Sequence, residues 1–410
     1  MTRIPSAAKR CRRPLATLFA ISLVLVAASC GGNDAETDRA ASGGTASTEV
    51  AKAPARYDEL GPHAVGVTTL SIPTDAGGTR DVLVWYPADA AASKAATPEV
   101  FKISDLLPPK FRALVPENLN PGLTLRAARD IPGDRTSGSF PIFVYSHGFG
   151  GYPSEYQHLL THVASWGFVV VSPVHDERGL LSLLGEPRGI GVDEGKILTD
   201  AATAARAANA EPSSPLQGIV KTDGKYVVGG HSAGTRSALE AANESAEVDG
   251  IVQMSGGGSF KDAAVSPRPV VPALFLTGST DKVVPLADVT AAFESYNDPK
   301  MLVSFENAGH LSFTDICTIG RDQGGVLTIA NKIGLTALLG DQGASQLQRL
   351  AGDGCAPEWI TPEQTWPAQE HLTVAFLRWR AGIDSSPAAL TAAALTGVGE
   401  AKLTFTGSLG

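Results

Sequence analysis

The chain lacks any apolar run long enough to cross a bilayer as a helix. Its longest, residues 15–28, has fourteen residues, where a spanning helix needs about 20. Basic residues are also scarce. Lys and Arg number 33 against 42 Asp and Glu, for a net charge of −9. Residues 1–29 hold five of the cations and no acid, so the remainder carries 28 basic against 42 acidic residues, a net of −14. That balance excludes the basic footprint a nucleic-acid partner needs. Cysteine is rare, at four in 410 residues. No Cys-x-x-Cys or His-x-His spacing accompanies them, so no metal site is expected, and no cofactor is expected either. The chain contains no internal repeat.

The start of the chain reads as a leader rather than a fold. Arg3, Lys9, Arg10, Arg12 and Arg13 precede the apolar run, whose length suits a signal h-region. The run ends in Ala27-Ala28-Ser29-Cys30-Gly31-Gly32. Small residues before a cysteine resemble a bacterial lipobox, with residues 1–29 removed and Cys30 lipidated. An ordinary secretory signal cut nearby is the alternative, and Arg12-Arg13 also admits a twin-arginine reading. Residues 30–58 are mostly small and polar and read as a flexible tether, because they cannot bury enough surface to order themselves. The expected location is extracytoplasmic, anchored to the membrane or secreted. With Cys11 in the leader and Cys30 at the lipid site, Cys317 and Cys355 remain. In an oxidising compartment they are expected to pair. The loop closed is 38 residues, which chain entropy values at about 4 kcal/mol. Two unpaired buried thiols are the alternative.

Between about 59 and 383, strand patterns alternate with helix patterns. Residues 65–72 and 81–86 read as an antiparallel edge pair. Further strands are expected at 140–145, 168–171, 225–229, 250–254, 273–277 and, last, 301–305. Helices are expected at 156–166, 194–209, 286–296, 325–339 and 364–380. The alternation predicts an α/β fold, a mostly parallel doubly wound sheet with helices on both faces. Such sheets bind ligands beyond the C-terminal strand ends. The Pro-rich insertion 88–139, which includes Phe101 and Phe111, reads either as a partial cap or as a surface excursion. Residues 384–410 form a tail with no assigned place.

Gly230-His231-Ser232-Ala233-Gly234 is the chemical centre of the chain. An apolar strand precedes it and an Ala-rich helix follows, so Ser232 is set on a sharp strand-to-helix elbow. A serine hydroxyl is a poor nucleophile until a base activates it. His310, in the loop after the strand at 301–305, is the candidate base, since imidazole can take the proton and return it to the leaving group. Asp281, after the strand at 273–277, is the candidate acid that orients this imidazole. Its alternative is a turn-capping role, and Asp262 is the second choice of acid. Two backbone N–H groups are expected to hold the oxyanion. Ala233 follows the nucleophile, and Phe149 lies in the loop Ser146-His147-Gly148-Phe149-Gly150-Gly151, whose glycines allow close approach. His147 reads as a loop-fixing residue and His231 as pointing into the structure.

With these motifs the chain resembles the α/β-hydrolase superfamily. The nearer resemblance is to secreted serine esterases grouped with platelet-activating-factor acetylhydrolases, dienelactone-hydrolase-like proteins and polyester hydrolases. It covers roughly residues 65–380 and rests on the 147–151 loop, the phrase Trp166-Gly167-Phe168-Val169-Val170-Val171, the Ser232 elbow, Asp281 and His310. The chain departs from these groups in having serine rather than cysteine at 232, Thr235 where a second glycine is usual, and His231 where an aromatic residue is usual. The resemblance implies hydrolysis of a small-molecule, lipid or polyester ester through an acyl-Ser232 intermediate. An acyltransferase with the same residues, or a non-catalytic binding lipoprotein, are the rival readings.

Overall fold

A computed structural model describes residues 55–410 other than 76, 108, 114, 184–191 and 258–266. The expected leader, Cys30, residues 31–54 of the expected tether and Asp262 lie outside the described residues.

The sheet has ten strands: β1 (Ala64–Pro73), β2 (Thr79–Ala88), β3 (Ala128–Arg129), β4 (Ile142–Ser146), β5 (Val169–Pro173), β6 (Tyr226–His231), β7 (Val248–Met254), β8 (Ala273–Gly278), β9 (Lys300–Phe305) and β10 (Leu403–Ser408). Their order across the sheet is β10-β9-β8-β7-β6-β4-β5-β2-β1-β3. Strands β4 to β9 run parallel. β2 is antiparallel to both β1 and β5, and β10 is antiparallel to β9. The central strands are runs of β-branched and aromatic residues because both faces are covered. Alternate residues point opposite ways. Phe143, Tyr145 and Val170 pack on one face under α1 (Gln157–Ser165) and the last long helix, while Ile142, Val144 and Val171 face α2 (Glu194–Ala208), α3 (Gly234–Glu244) and α4 (Leu286–Ser295). After β9 come α5 (Gly325–Lys332), α6 (Gly340–Gly352) and α7 (Pro362–Arg380). α7 starts as its sequence demands, with Pro362 in the first turn and a Thr361–Gln364 capping box.

Four expectations need correction. The helix expected over 325–339 is interrupted at Gly334, whose φ of +76° ends one helical run before Leu335–Leu338 begins. The strand at 301–305 is not the last. Residues 384–410 do not leave the domain as a tail: β10 pairs with β9, and Leu390, Leu395 and Val398 join the core. Leu403 and Phe405 turn toward that core while Thr404 and Thr406 face out, a period-two pattern that only the free edge of β9 makes into a strand. At the opposite end, β3 lies outside β1, so the first two strands are not the edge.

The insertion folds over the loop after β4. Val100–Lys102 pairs with Gly122–Thr124 in a small separate sheet. Ile103 packs with Ile319 and Ile329, and Leu107 with Ala330 and Leu335. The Phe101 ring stacks on Tyr152 at 5.5 Å. Beneath lies a cavity of about 610 Å³ whose lining includes Phe101, Leu107, His147, Gly151, Tyr152 and Leu180.

Candidate active site

Ser232 follows β6 in a conformation that L-residues avoid. Its φ is +52°, a strained value of the kind functional turns retain when the surroundings enforce it. Its N–H donates to the Met254 carbonyl at 2.9 Å, and its own carbonyl accepts the Thr235 N–H at 3.1 Å. The flanking glycines are required by contact. A Cβ on Gly230 would lie 2.3 Å from the Gly234 oxygen, and one on Gly234 would lie 2.1 Å from the Ser146 oxygen. Both obstacles are backbone and have no room to yield. Gly234→Ala is therefore expected to cost about 3 kcal/mol or more through overpacking. Gly352→Ala, where a Cβ meets open space, should change stability by no more than about 1 kcal/mol. Urea denaturation of the two variants checks the contrast.

His310 and Asp281 are brought together. His310 Nδ1 lies 2.8 Å from Asp281 Oδ2, with the residues 2% and 5% exposed. The other oxygen, Oδ1, accepts the N–H groups of Val283 at 2.8 Å and Val284 at 2.7 Å. Asp281 thus does what a turn aspartate does and holds the imidazole as well. Burial holds His310 below its ordinary value and the neighbouring His231 adds to this, while the Asp281 hydrogen bond acts against it. A neutral imidazole is the form a base needs.

His231 links the elbow to the His310 loop. Its Nε2 lies 3.2 Å from the His310 carbonyl, and the two rings are 4.7 Å apart. Its Nδ1 lies 3.5 Å from Glu155, so the side chain does turn inward, to a specific partner.

The loop after β4 presses onto the serine, since a Cβ on Gly148 would lie 3.3 Å from the Ser232 Cβ. Its amides are mostly committed. Gly148 N–H donates to Glu155 at 2.9 Å, Gly150 to the Arg178 carbonyl at 2.7 Å and Gly151 to the Gly148 carbonyl at 3.2 Å. Among the described residues no acceptor takes the N–H of Phe149 or of Ala233. These are the two amides the sequence singled out.

Glu155 was not singled out by the sequence. It is 1% exposed and also accepts the Tyr145 hydroxyl at 2.9 Å. Burial disfavours its charge, but His231 and the Gly148 N–H outweigh this and hold it below the usual carboxylate range. His147 Nε2 accepts the His175 N–H at 3.0 Å. Burial, helped by the Arg178 cation, lowers its pKa to about 4. It therefore fixes the loop as a neutral ring. Arg178 donates to the Ser146 hydroxyl at 2.7 Å and to the His147 carbonyl at 2.9 Å, and pairs with Glu194.

The Ser232 elbow ends β6, Asp281 follows β8 and His310 follows β9, all at the C-terminal edge of one mostly parallel sheet. The sheet is a mostly parallel, doubly wound α/β sheet with helices on both faces. Residues 130–255, which span the Phe149 loop and the Ser232 elbow but stop short of Asp281 and His310, match the family model Chlorophyllase. No curated protein sequence matches the chain. Among solved structures, a ferulic acid esterase from Streptomyces cinnamoneus aligns at 18% identity over 77% of this chain and 89% of its own, with a TM-score of 0.48.

Cys317 and Cys355 form a disulfide with Cα atoms 4.8 Å apart. Cys317 lies seven residues after His310, on the segment that leaves the His310 loop.

Proposed function

We propose that this chain cleaves carboxylic esters through an acyl-Ser232 intermediate. The observation that carries the proposal is the His310–Asp281 hydrogen bond beside a serine elbow whose neighbouring Ala233 and Phe149 amides have no protein acceptor among the described residues. Asp281 fixes a proton on His310 Nδ1, which leaves Nε2 free to take the Ser232 proton as Oγ attacks the ester carbonyl. The two amides receive the negative charge that develops on oxygen. The imidazolium then protonates the leaving alcohol, and water repeats the sequence to release the acid. The match to the chlorophyllase model over the elbow and the Phe149 loop supports ester chemistry at this serine. Tethering through Cys30, which would place the enzyme on the outer side of a membrane, belongs to the same proposal and rests on the sequence of the leader.

A fluorophosphonate should label Ser232 stoichiometrically, and short p-nitrophenyl esters should be hydrolysed. The acid limb of kcat/KM should fall below about pH 6.5, the ordinary imidazole value, because His310 is held lower still. Activity is lost as pH drops through that limb, when the base becomes protonated. A folded protein that takes no label would favour the binding-lipoprotein reading.

A further inference from the structure

Asp353 is 4% exposed and stands at the C-terminal end of α6, outside the Ser232, Asp281 and His310 set. Its side chain reaches two loops at once. Oδ2 accepts the N–H of Lys282 at 2.7 Å and of Val283 at 3.1 Å, both on the acid loop. Oδ1 lies 3.4 Å from the N–H of His310 on the base loop. The Asp353 carbonyl accepts the Leu311 N–H at 2.9 Å. Gly309 leaves the room this needs, since a Cβ there would lie 2.4 Å from Oδ1. The next residue, Gly354, has φ +102° and sits against the Ser312 backbone, and Cys355 then closes the disulfide to Cys317. Farther along the same segment, Asn307 receives the Ile360 N–H at 3.0 Å and donates its own side-chain amide to the Glu358 carbonyl at 2.7 Å.

A buried carboxylate costs free energy unless its oxygens are satisfied. Here satisfaction comes only when the acid loop and the base loop stand in one relative position. Active-site groups must be held within roughly 0.5 Å to work, and loops left to themselves open readily. We propose that Asp353 is a positioning residue that locks the acid loop to the base loop, and that the Cys317–Cys355 disulfide fixes the turn that carries it.

The inference rests on Ser232, Asp281 and His310 forming the acyl-transfer set. It also gives His310 a second nearby anion. The charged and titratable groups around the ring are Asp281, Asp353 and, from the elbow, His231 with Glu155 behind it. Asp353 favours the imidazolium.

Asp353→Asn tests this in the full chain. The amide is the same size and keeps one carbonyl oxygen, but it loses the charge and one acceptor. We expect kcat on a short p-nitrophenyl ester to fall about 100-fold, as a misplaced catalytic group does, with KM unchanged. The acid limb of kcat/KM should move to lower pH, a shift that a purely structural loss would not cause. Wild-type kcat and an unmoved limb overturn the inference. Reduction of the unmodified chain provides the second arm and needs no variant. With both thiols alkylated and far-UV circular dichroism unchanged, kcat should drop by about tenfold or more; full activity in that state overturns the inference. Fluorophosphonate labelling separates the two levels of argument. If the untreated chain takes no label at Ser232, the reading of the site itself fails. If it does, a silent Asp353→Asn counts against Asp353 alone.

Discussion

Ser232→Ala is expected to lower kcat on activated esters by about a millionfold, the scale seen when a nucleophile is deleted from an acyl-transfer site. Some acceleration, about 10³–10⁴-fold over water, should survive if the amides of Phe149 and Ala233, which have no acceptor among the described residues, stabilise charge as proposed. The variant should fold, since alanine and serine are similarly strained at φ +52° and the hydrogen bonds that hold the elbow come from its backbone. Steady-state turnover, together with loss of fluorophosphonate labelling, measures the effect. Unchanged hydrolysis by the purified variant would place the nucleophile elsewhere.

Asp281→Asn should cost about 10⁴-fold in kcat, and the structure says why. One carboxylate oxygen is already committed to the N–H groups of Val283 and Val284. An asparagine must place its carbonyl oxygen there, because its NH₂ cannot accept. The NH₂ then faces His310 Nδ1, where the carboxylate stood 2.8 Å away. It donates to that nitrogen, the imidazole proton moves to Nε2, and the atom that should accept the serine proton no longer can. The loss is one of tautomer rather than of position. The variant should therefore keep its stability within about 1 kcal/mol and its substrate KM. Imidazole nitrogen shifts in ¹⁵N-labelled protein would report the exchanged tautomer directly. A variant that retains wild-type kcat would show that Asp281 does not orient the base.

Much of the sheet was legible because parallel strands covered on both faces write themselves as unbroken apolar runs. The stretches around Val144, Val170, Val228, Ile251, Phe275 and Val303 all became central strands. The elbow was legible for a different reason. Gly230 and Gly234 leave no space for a side chain against neighbouring backbone, and that steric demand appears as glycine whatever the remote context. β10 was harder. Its alternating Leu403, Thr404, Phe405 and Thr406 has strand character, but the Ala- and Thr-rich approach to it gives no sign that an edge of β9 lies waiting. Glu155 and Asp353 were illegible in principle. Each sits in an ordinary polar stretch, Pro153-Ser154-Glu155 and Gly352-Asp353-Gly354, where an acid is normally solvated. Only Cys355, two residues on, hinted that the second stretch is fixed.

The sequence by itself determined the layered α/β architecture and the strand ends that bear Ser232, Asp281 and His310, because hydrophobic period and glycine sterics are local properties of the chain. The tertiary structure alone decided which amides are spent and which are free, and which buried acids bind the loops together. Those outcomes depend on hydrogen bonds between segments far apart in the chain, such as Lys282 to Asp353, 71 residues on, and a donor's partner across that distance is set by how the sheet folds rather than by the residues beside it.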